Sequence, residues 1–321
     1  MALGLGPIHR SLDLLAIWAE SQLRREPQLA EFSSRAELAC FGPLPPLPPA
    51  PPLAGIWCAP SPRPLACDDQ IVVHATPAGI GRRGTVLLVP PWKIARPGLV
   101  RGYRRLLARV GFDVWLVCPP HHLERAAPGT RSGEAFISLD LARFRATFEQ
   151  FVVELRTCVA LAAKRGPVGL IGLSLGGLIG AFAATSPERL DFVAVIAPAH
   201  LALTLAETGI GRRYRHLAAL AGSALPDNSG IAEVLAPFDP GARAPTARNI
   251  FVAVGLHDRI VPAAGPLALA RAWDVRPALY SRGHMSLLFF CRALRRDLVR
   301  FMSASVQSPC NPSVPRRGQN H

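Results

Sequence analysis

Residues 172–177 read Gly-Leu-Ser-Leu-Gly-Gly. The spacing G-x-S-x-G gains chemical meaning from its flanks. The apolar run 168–173 predicts a strand, and the run from Leu175 to about Thr185 predicts a helix. A tight turn between them lifts the Ser174 hydroxyl clear of a sheet, and the helix N-terminus behind it favours developing negative charge. A serine hydroxyl is a weak nucleophile and needs a base. His284, in Ser281-Arg282-Gly283-His284-Met285-Ser286, follows a short strand expected at 278–280; it could take the Ser174 proton and later deliver it to a leaving group. Asp258 follows a strand expected over 249–254, at the end of a parallel sheet where ligands gather, and could orient the imidazole. Alone, the pentapeptide could be an ordinary glycine-rich turn, His284 a surface histidine and Asp258 a turn-capping carboxylate. Their order, each after a strand, is the stronger signal. His257 reads as a bystander or loop support.

An acyl-transfer site also needs two backbone N–H donors for the oxyanion. Leu175, after the nucleophile, should give one. The other should come from Pro90-Pro91-Trp92-Lys93, after the strand expected at 85–89. Pro91 has no N–H, so Trp92 is the expected donor, with Lys93 next. Trp92 could also wall a substrate pocket or simply pack beneath the loop. The long loop 119–138 should border the same cleft. Within it His122 and Arg131 are expected substrate contacts, Arg131 through a carboxylate, with an internal salt-bridge network as the other role for the loop. His121, His122 and Glu124 imitate metal ligands but lack a convincing third partner, so no metal and no cofactor are expected.

The elements that must position these groups alternate along the chain. Strands are expected at 70–75, 85–89, 113–118, 168–173, 192–196, 249–254 and 278–280, and helices at 98–110, 139–164, 175–185, 265–273 and 286–304. Alternation of this kind, with near-continuous apolar strands, gives an α/β architecture with a mostly parallel sheet covered on both faces. Residues 1–54 read as an N-terminal extension: a helix capped by Ser11 and running through Leu14, Leu15, Ile17 and Trp18, then the proline-rich spacer 43–52. The main domain is expected over 55–305, with a possible lid at 200–247 and a frayed tail at 306–321. Leu201, Leu203, Leu205, Leu217 and Leu220 could line an acyl pocket or form the insertion's own core.

Composition sets the outer bounds. The 321 residues are 50% hydrophobic and 18% charged, enough for a sizeable core. The net charge of +14 comes almost wholly from arginine. These arginines are scattered rather than gathered into a patch, so no nucleic-acid partner is expected. The seven cysteines form no C-x-x-C pair, which argues against a zinc or redox motif. No signal peptide and no transmembrane segment is read, and a cytoplasmic protein is expected.

With serine, acid and base in that order, the chain resembles the α/β-hydrolase superfamily over roughly residues 70–304. Pro90-Pro91-Trp92-Lys93, and the stretch His122 to Asp140 with Arg131-Ser132-Gly133-Glu134 and Ser138-Leu139-Asp140, resemble more narrowly the family of α/β-hydrolase domain-containing protein 18 and its bacterial relatives. The superfamily resemblance implies the α/β-hydrolase fold and hydrolysis of an ester, thioester or amide through an acyl-enzyme. Many relatives carry His-Gly where this chain has Pro90-Pro91, which reshapes the expected oxyanion loop. The leading expectation is a serine-dependent hydrolase of a small-molecule carboxylic ester. A thioesterase, lipase, peptidase or acyltransferase would use the same three residues, and a binding protein on an inactive fold is the non-enzymatic alternative. Oligomeric state and natural substrate stay open.

Overall fold

Each central strand is apolar on both faces, and the two faces feed two separate cores. Along β3 (Gly84–Val89) and β4 (Phe112–Cys118) successive side chains alternate between them. Leu87, Val89, Trp115 and Val117 enter one core, and Val86, Leu88, Val114 and Leu116 the other. The computed structural model describes residues 11–14, 38–66, 68–138, 140–220 and 226–307. The expected helix is described over 11–14; its continuation through Ile17 and Trp18, and the tail beyond 307, lie outside the described residues.

In chain order, β1 (Gly55–Leu65) and β2 (Asp68–Thr76) precede β3, α1 (Arg101–Arg109) and β4. Then come α2 (Leu141–Ala163), β5 (Val168–Leu173), α3 (Leu175–Ala184) and β6 (Phe192–Ile196). The insertion holds α4 (Leu201–Glu207), α5 (Gly209–Leu220) and α6 (Asn228–Leu235). The chain closes with β7 (Ile250–Gly255), α7 (Ala264–Ala272), β8 (Ala278–Tyr280), α8 (His284–Phe290) and α9 (Arg292–Gln307). The eight strands lie in the order β1-β2-β4-β3-β5-β6-β7-β8. Both pairings of β2 are antiparallel and all the others are parallel. Helices α2, α3 and α7 cover one face; α1, α8 and α9 cover the other.

This order places the site. From β3 the chain steps to β4 on one side and later returns to β5 on the other. The loops leaving β3 and β5 therefore part in opposite directions, and a crevice opens between them at the carboxyl ends of the strands.

Two elements depart from the sequence reading. β1 is an added strand that the sequence hid behind Pro60, Pro62 and Pro64. It is an edge strand, where proline is tolerated, and its register with β2 breaks after Pro60 and resumes at Leu65, so Pro62 and Pro64 fall in the irregular stretch. The single last helix expected at 286–304 is two helices, broken where Cys291 turns extended at φ −83°, ψ 101°. The first of them begins at His284 itself.

The proline-rich stretch and the residues leading into it are tied to the body through backbone carbonyls, the only backbone hydrogen-bonding groups a proline has. Arg156 donates to the carbonyls of Cys40 and Gly42, and Arg165 to that of Pro51 at 3.1 Å. Arg243 stacks over the Phe41 ring at 4.0 Å.

Candidate active site

Ser174 stands between β5 and α3 at φ 54°, ψ −114°, a region that side-chain-bearing residues seldom occupy. The flanking glycines make the turn possible. A β-carbon on Gly172 would strike the carbonyl oxygen of Gly176, and one on Gly176 would strike the carbonyls of Val89 and Pro90. The strained turn aims Ser174 Oγ at His284 Nε2, 2.9 Å away. On the far side of the ring, His284 Nδ1 lies 2.6 Å from Asp258 Oδ2. Asp258 is itself fixed by its other oxygen, which accepts from Ile260 N at 2.9 Å and Val261 N at 2.7 Å. The carboxylate can only accept, so Nδ1 carries the ring proton and Nε2 is left to receive the serine's. Burial opposes a charge on His284. The Asp258 carboxylate, by charge and hydrogen bond, and the charge of Asp13 more than offset it, so the imidazole's pKa lies above its ordinary value.

Asp13 was invisible to sequence reasoning. It is fully buried, and its carboxylate accepts from His284 N at 2.8 Å, Met285 N at 3.0 Å and Arg259 N at 3.2 Å. The need for it follows from the start of α8. Gly283 precedes the helix and has no side chain to cap it; Ser286 Oγ accepts only the N–H of Gly283. The N–H groups of His284 and Met285 would otherwise be orphaned. His257, read as a bystander or loop support, has its Nε2 3.0 Å from Ser281 Oγ.

A cavity of about 580 Å³ opens beside Ser174 and His284. Its walls are mainly apolar and include Trp92, Leu99, Ile210, Leu288 and Phe290. Ile210 belongs to the 200–247 insertion, which therefore reaches the cavity. Leu201 and Leu205 instead pack against the core under the insertion. Lys93 and Arg295 also border the cavity, and among the described residues lining it none is Asp or Glu.

Of the expected oxyanion donors, Leu175 opens α3, so its N–H has no acceptor within the helix. Trp92 borders the cavity, with its indole Nε1 donating to Gly133 O at 2.7 Å. The Lys93 N–H is spoken for: it donates to His122 Nε2 at 3.1 Å. That bond corrects the reading of His122 as a substrate contact. Its ring is wholly buried, with Nδ1 2.8 Å from Pro120 O. Burial pushes its pKa down to about 3, so it stays neutral and props the Trp92 loop from behind. Arg131 is not at the cavity either; its side chain is exposed and its N–H donates to Glu134 Oε2 at 2.8 Å. Neighbouring Ser132 and Gly133 have the structural part. Ser132 Oγ donates to Ile94 O and accepts from Leu123 N, while Gly133, at φ 76°, sits where a β-carbon would strike His122 and Lys93 N. The segments 90–93 and 122–133 thus interlock as a single brace.

No family model matches the chain, and no curated protein matches its sequence. Solved structures do match. An acetyl xylan esterase from Paenibacillus sp. R4 superposes with a TM-score of 0.54 at 16% identity, over 95% of this chain and 99% of that one. A thermostable carboxyl esterase from Bacillus coagulans gives 0.55 at 11% identity, over 78% and 98%. A proline iminopeptidase from Mycobacterium smegmatis gives 0.52 at 18%, over 78% and 99%. The chain has the α/β-hydrolase fold. Identities this low speak for the shared backbone path alone, and the neighbours' activities differ from one another.

Elsewhere in this α/β-hydrolase fold, the loop 119–138 holds the salt-bridge network that was its other expected role. Arg125 is buried between Asp68 and Glu154, donating to Asp68 Oδ1 at 2.8 Å and to the Glu154 oxygens at 2.6 and 3.0 Å. Among the described residues one group could gather three metal-ligating atoms, His74, Cys118 and Glu124, all within 4.8 Å of one another. None of the three borders the cavity. His74 Nε2 already meets Glu124 Oε2 at 3.1 Å. Burial, then the Glu124 charge, pushes the Cys118 thiol up, away from the thiolate a metal needs. No described helix is long and apolar enough to cross a membrane.

Proposed function

We propose that the protein is a serine hydrolase that cleaves a carboxylic ester with an apolar acyl group through an acyl-enzyme on Ser174. The observation that carries this reading is the continuous pair of hydrogen bonds, Ser174 Oγ to His284 Nε2 at 2.9 Å and His284 Nδ1 to Asp258 Oδ2 at 2.6 Å. His284 takes the hydroxyl proton as Ser174 Oγ attacks the ester carbonyl. Asp258 holds the ring in the receptive tautomer and stabilises the imidazolium. The N–H groups of Leu175 and Trp92 receive the developing oxyanion. The tetrahedral intermediate collapses, His284 gives its proton to the alcohol, and a water activated by the same imidazole releases the acid. The apolar cavity beside Ser174 supports an alkyl or aryl acyl chain. The esterase activities named for two of the structural neighbours agree with this reading.

Thioester and amide cleavage would use the same three residues. Recognition of a free amino group is disfavoured, because the described residues of the cavity wall offer the cations Lys93 and Arg295. A purely binding role would leave the hydrogen bonds from Ser174 through His284 to Asp258 with no reaction to serve.

The test is hydrolysis of chromogenic esters from acetyl to long-chain by the wild type and by Ser174→Ala. The expected result is wild-type turnover with a chain-length optimum beyond acetyl, and a loss in the variant of about 10⁴-fold or more. Equal turnover by both proteins, or none by either across the panel, would overturn the ester-hydrolase reading.

A further inference from the structure

Asp13 lies 271 residues from His284 in the chain, yet its carboxylate touches both loops that carry the reacting groups. One oxygen accepts from His284 N at 2.8 Å and from Arg259 N at 3.2 Å; the other accepts from Met285 N at 3.0 Å. Arg259 directly follows Asp258. A single side chain therefore clamps the backbone of the acid's loop to the backbone of the histidine. The clamp comes from the N-terminal extension, outside the sheet-and-helix body that builds the rest of the site.

The choice of a carboxylate matters. Three converging N–H groups need an acceptor with more than two lone-pair directions, which a carboxylate has and a serine hydroxyl lacks. Burying a charge is costly unless it is fully hydrogen-bonded, and Asp13 is fully buried. Its partners among the described residues are neutral backbone N–H groups, and its negative charge acts on its surroundings. What it acts on is the imidazole of His284. Other groups face that ring as well. Asp258 comes from the loop after β7 and Ser174 from the β5–α3 turn. Lys93 after β3, Tyr103 on α1 and Arg295 on α9 share the cavity into which the ring opens. Of the charged groups, Asp258 and Asp13 favour the imidazolium.

We propose that Asp13 is a positioning residue of the active site: the N-terminal segment docks its carboxylate beneath His284, fixing the histidine against Asp258 and stabilising the imidazolium that forms when Ser174 loses its proton. The inference rests on the serine-hydrolase reading above. Asp13 does not touch substrate. It acts through the geometry of two loops and through charge, and the two contributions separate experimentally. Asp13→Asn removes the charge and turns one acceptor into an N–H that opposes the backbone donors. Asp13→Glu keeps the charge and misplaces it.

The experiment measures the rate at which a fluorophosphonate labels Ser174, as a function of pH, in the full-length wild type, Asp13→Asn and Asp13→Glu, with Ser174→Ala as the blank. It runs beside kcat and KM for a short ester and a thermal melt. The neutral imidazole is the working base, so the rate rises as pH climbs through the His284 pKa. A carboxylate that favours the imidazolium holds that limb at higher pH, and its removal moves the limb down. The expected result for Asp13→Asn is an acidic limb lowered by about half a unit or more and kcat reduced about ten- to a hundredfold, with KM little changed. Asp13→Glu should keep the wild-type limb while losing rate. A limb that stays in place in Asp13→Asn, even with a lower melting temperature, would overturn the proposal and leave Asp13 a structural cap. Should Asp13→Asn fail to fold, the Glu variant decides: a wild-type rate in it refutes positioning. An unlabelled wild type would instead refute the hydrolase reading itself.

Discussion

Two buried sites in this molecule have the same outline. In one, Arg125 sits between the carboxylates of Asp68 and Glu154; in the other, His284 sits between those of Asp258 and Asp13. In both, a residue bearing a nitrogen base is held by two acids from distant parts of the chain, although Asp13 grips the backbone N–H of His284 and only Asp258 meets its ring. The outcomes differ because the bases differ. A guanidinium keeps its proton at every accessible pH, so the Arg125 cluster is a permanent strut. An imidazole gains and loses its proton near neutrality, so similar surroundings would suit the proton transfer proposed for His284. Access divides them too. His284 opens onto the cavity beside Ser174, whereas Arg125 is closed in by Cys118 O and Gln150, which donates to Glu154 Oε1 at 2.9 Å.

The sharpest way to break the comparison is to alter one acid in each site. Asp258→Asn leaves a group of the same size that can hold the ring in the wrong tautomer. Turnover should fall about 10⁴-fold while the melting temperature barely moves, checked by ester hydrolysis and calorimetry. Should activity fall less than about tenfold, Asp258 is not the orienting acid. Glu154→Gln should do the reverse. Removing one carboxylate leaves the buried Arg125 charge half compensated, which costs about 3 kcal/mol of stability, read from the urea midpoint. The kcat of the protein that remains folded should stay within about twofold of wild type, because Glu154 is not among the residues lining the cavity. A large drop in kcat at unchanged stability would mean that the Arg125 cluster belongs to the chemistry after all.

The contrast also separates what the sequence could disclose from what it could not. The meeting of Ser174, Asp258 and His284 was legible because each lies just past a strand, and the fold brings strand ends together by rule. The alternating apolar runs disclosed the parallel sheet for the same reason. β1 was hidden because its prolines read as loop until its place at the sheet edge is known. The break at Cys291 carries no glycine or proline to mark it. Asp13 and Glu154 belong to a different kind of information. Each acts across a long stretch of chain, in a register set by packing, and nothing in the local pattern distinguishes them from other helical acids. His122 and Arg131 show the converse. Their types suggested substrate contacts, but burial turned one into a prop and exposure took the other away from the cleft.

The smallest effect should come from the cavity, the feature that sets the His284 site apart from its closed counterpart. Leu99 lies on the single turn Pro97–Val100 that leads into α1; it borders the cavity and is 52% exposed. A larger ring can enter there without disturbing the core. Leu99→Trp should leave hydrolysis of an acetyl ester within about twofold of wild type, since Ser174 and its partners are untouched. It should lower kcat/KM for long acyl chains about tenfold relative to short ones, the scale on which an apolar pocket discriminates by a methylene or two. The ratio of the two substrates in one assay checks it. An unchanged ratio would mean that the acyl chain leaves by another route, and a uniform loss on both substrates would place Leu99 in the support of the Trp92 loop rather than in the wall of the pocket.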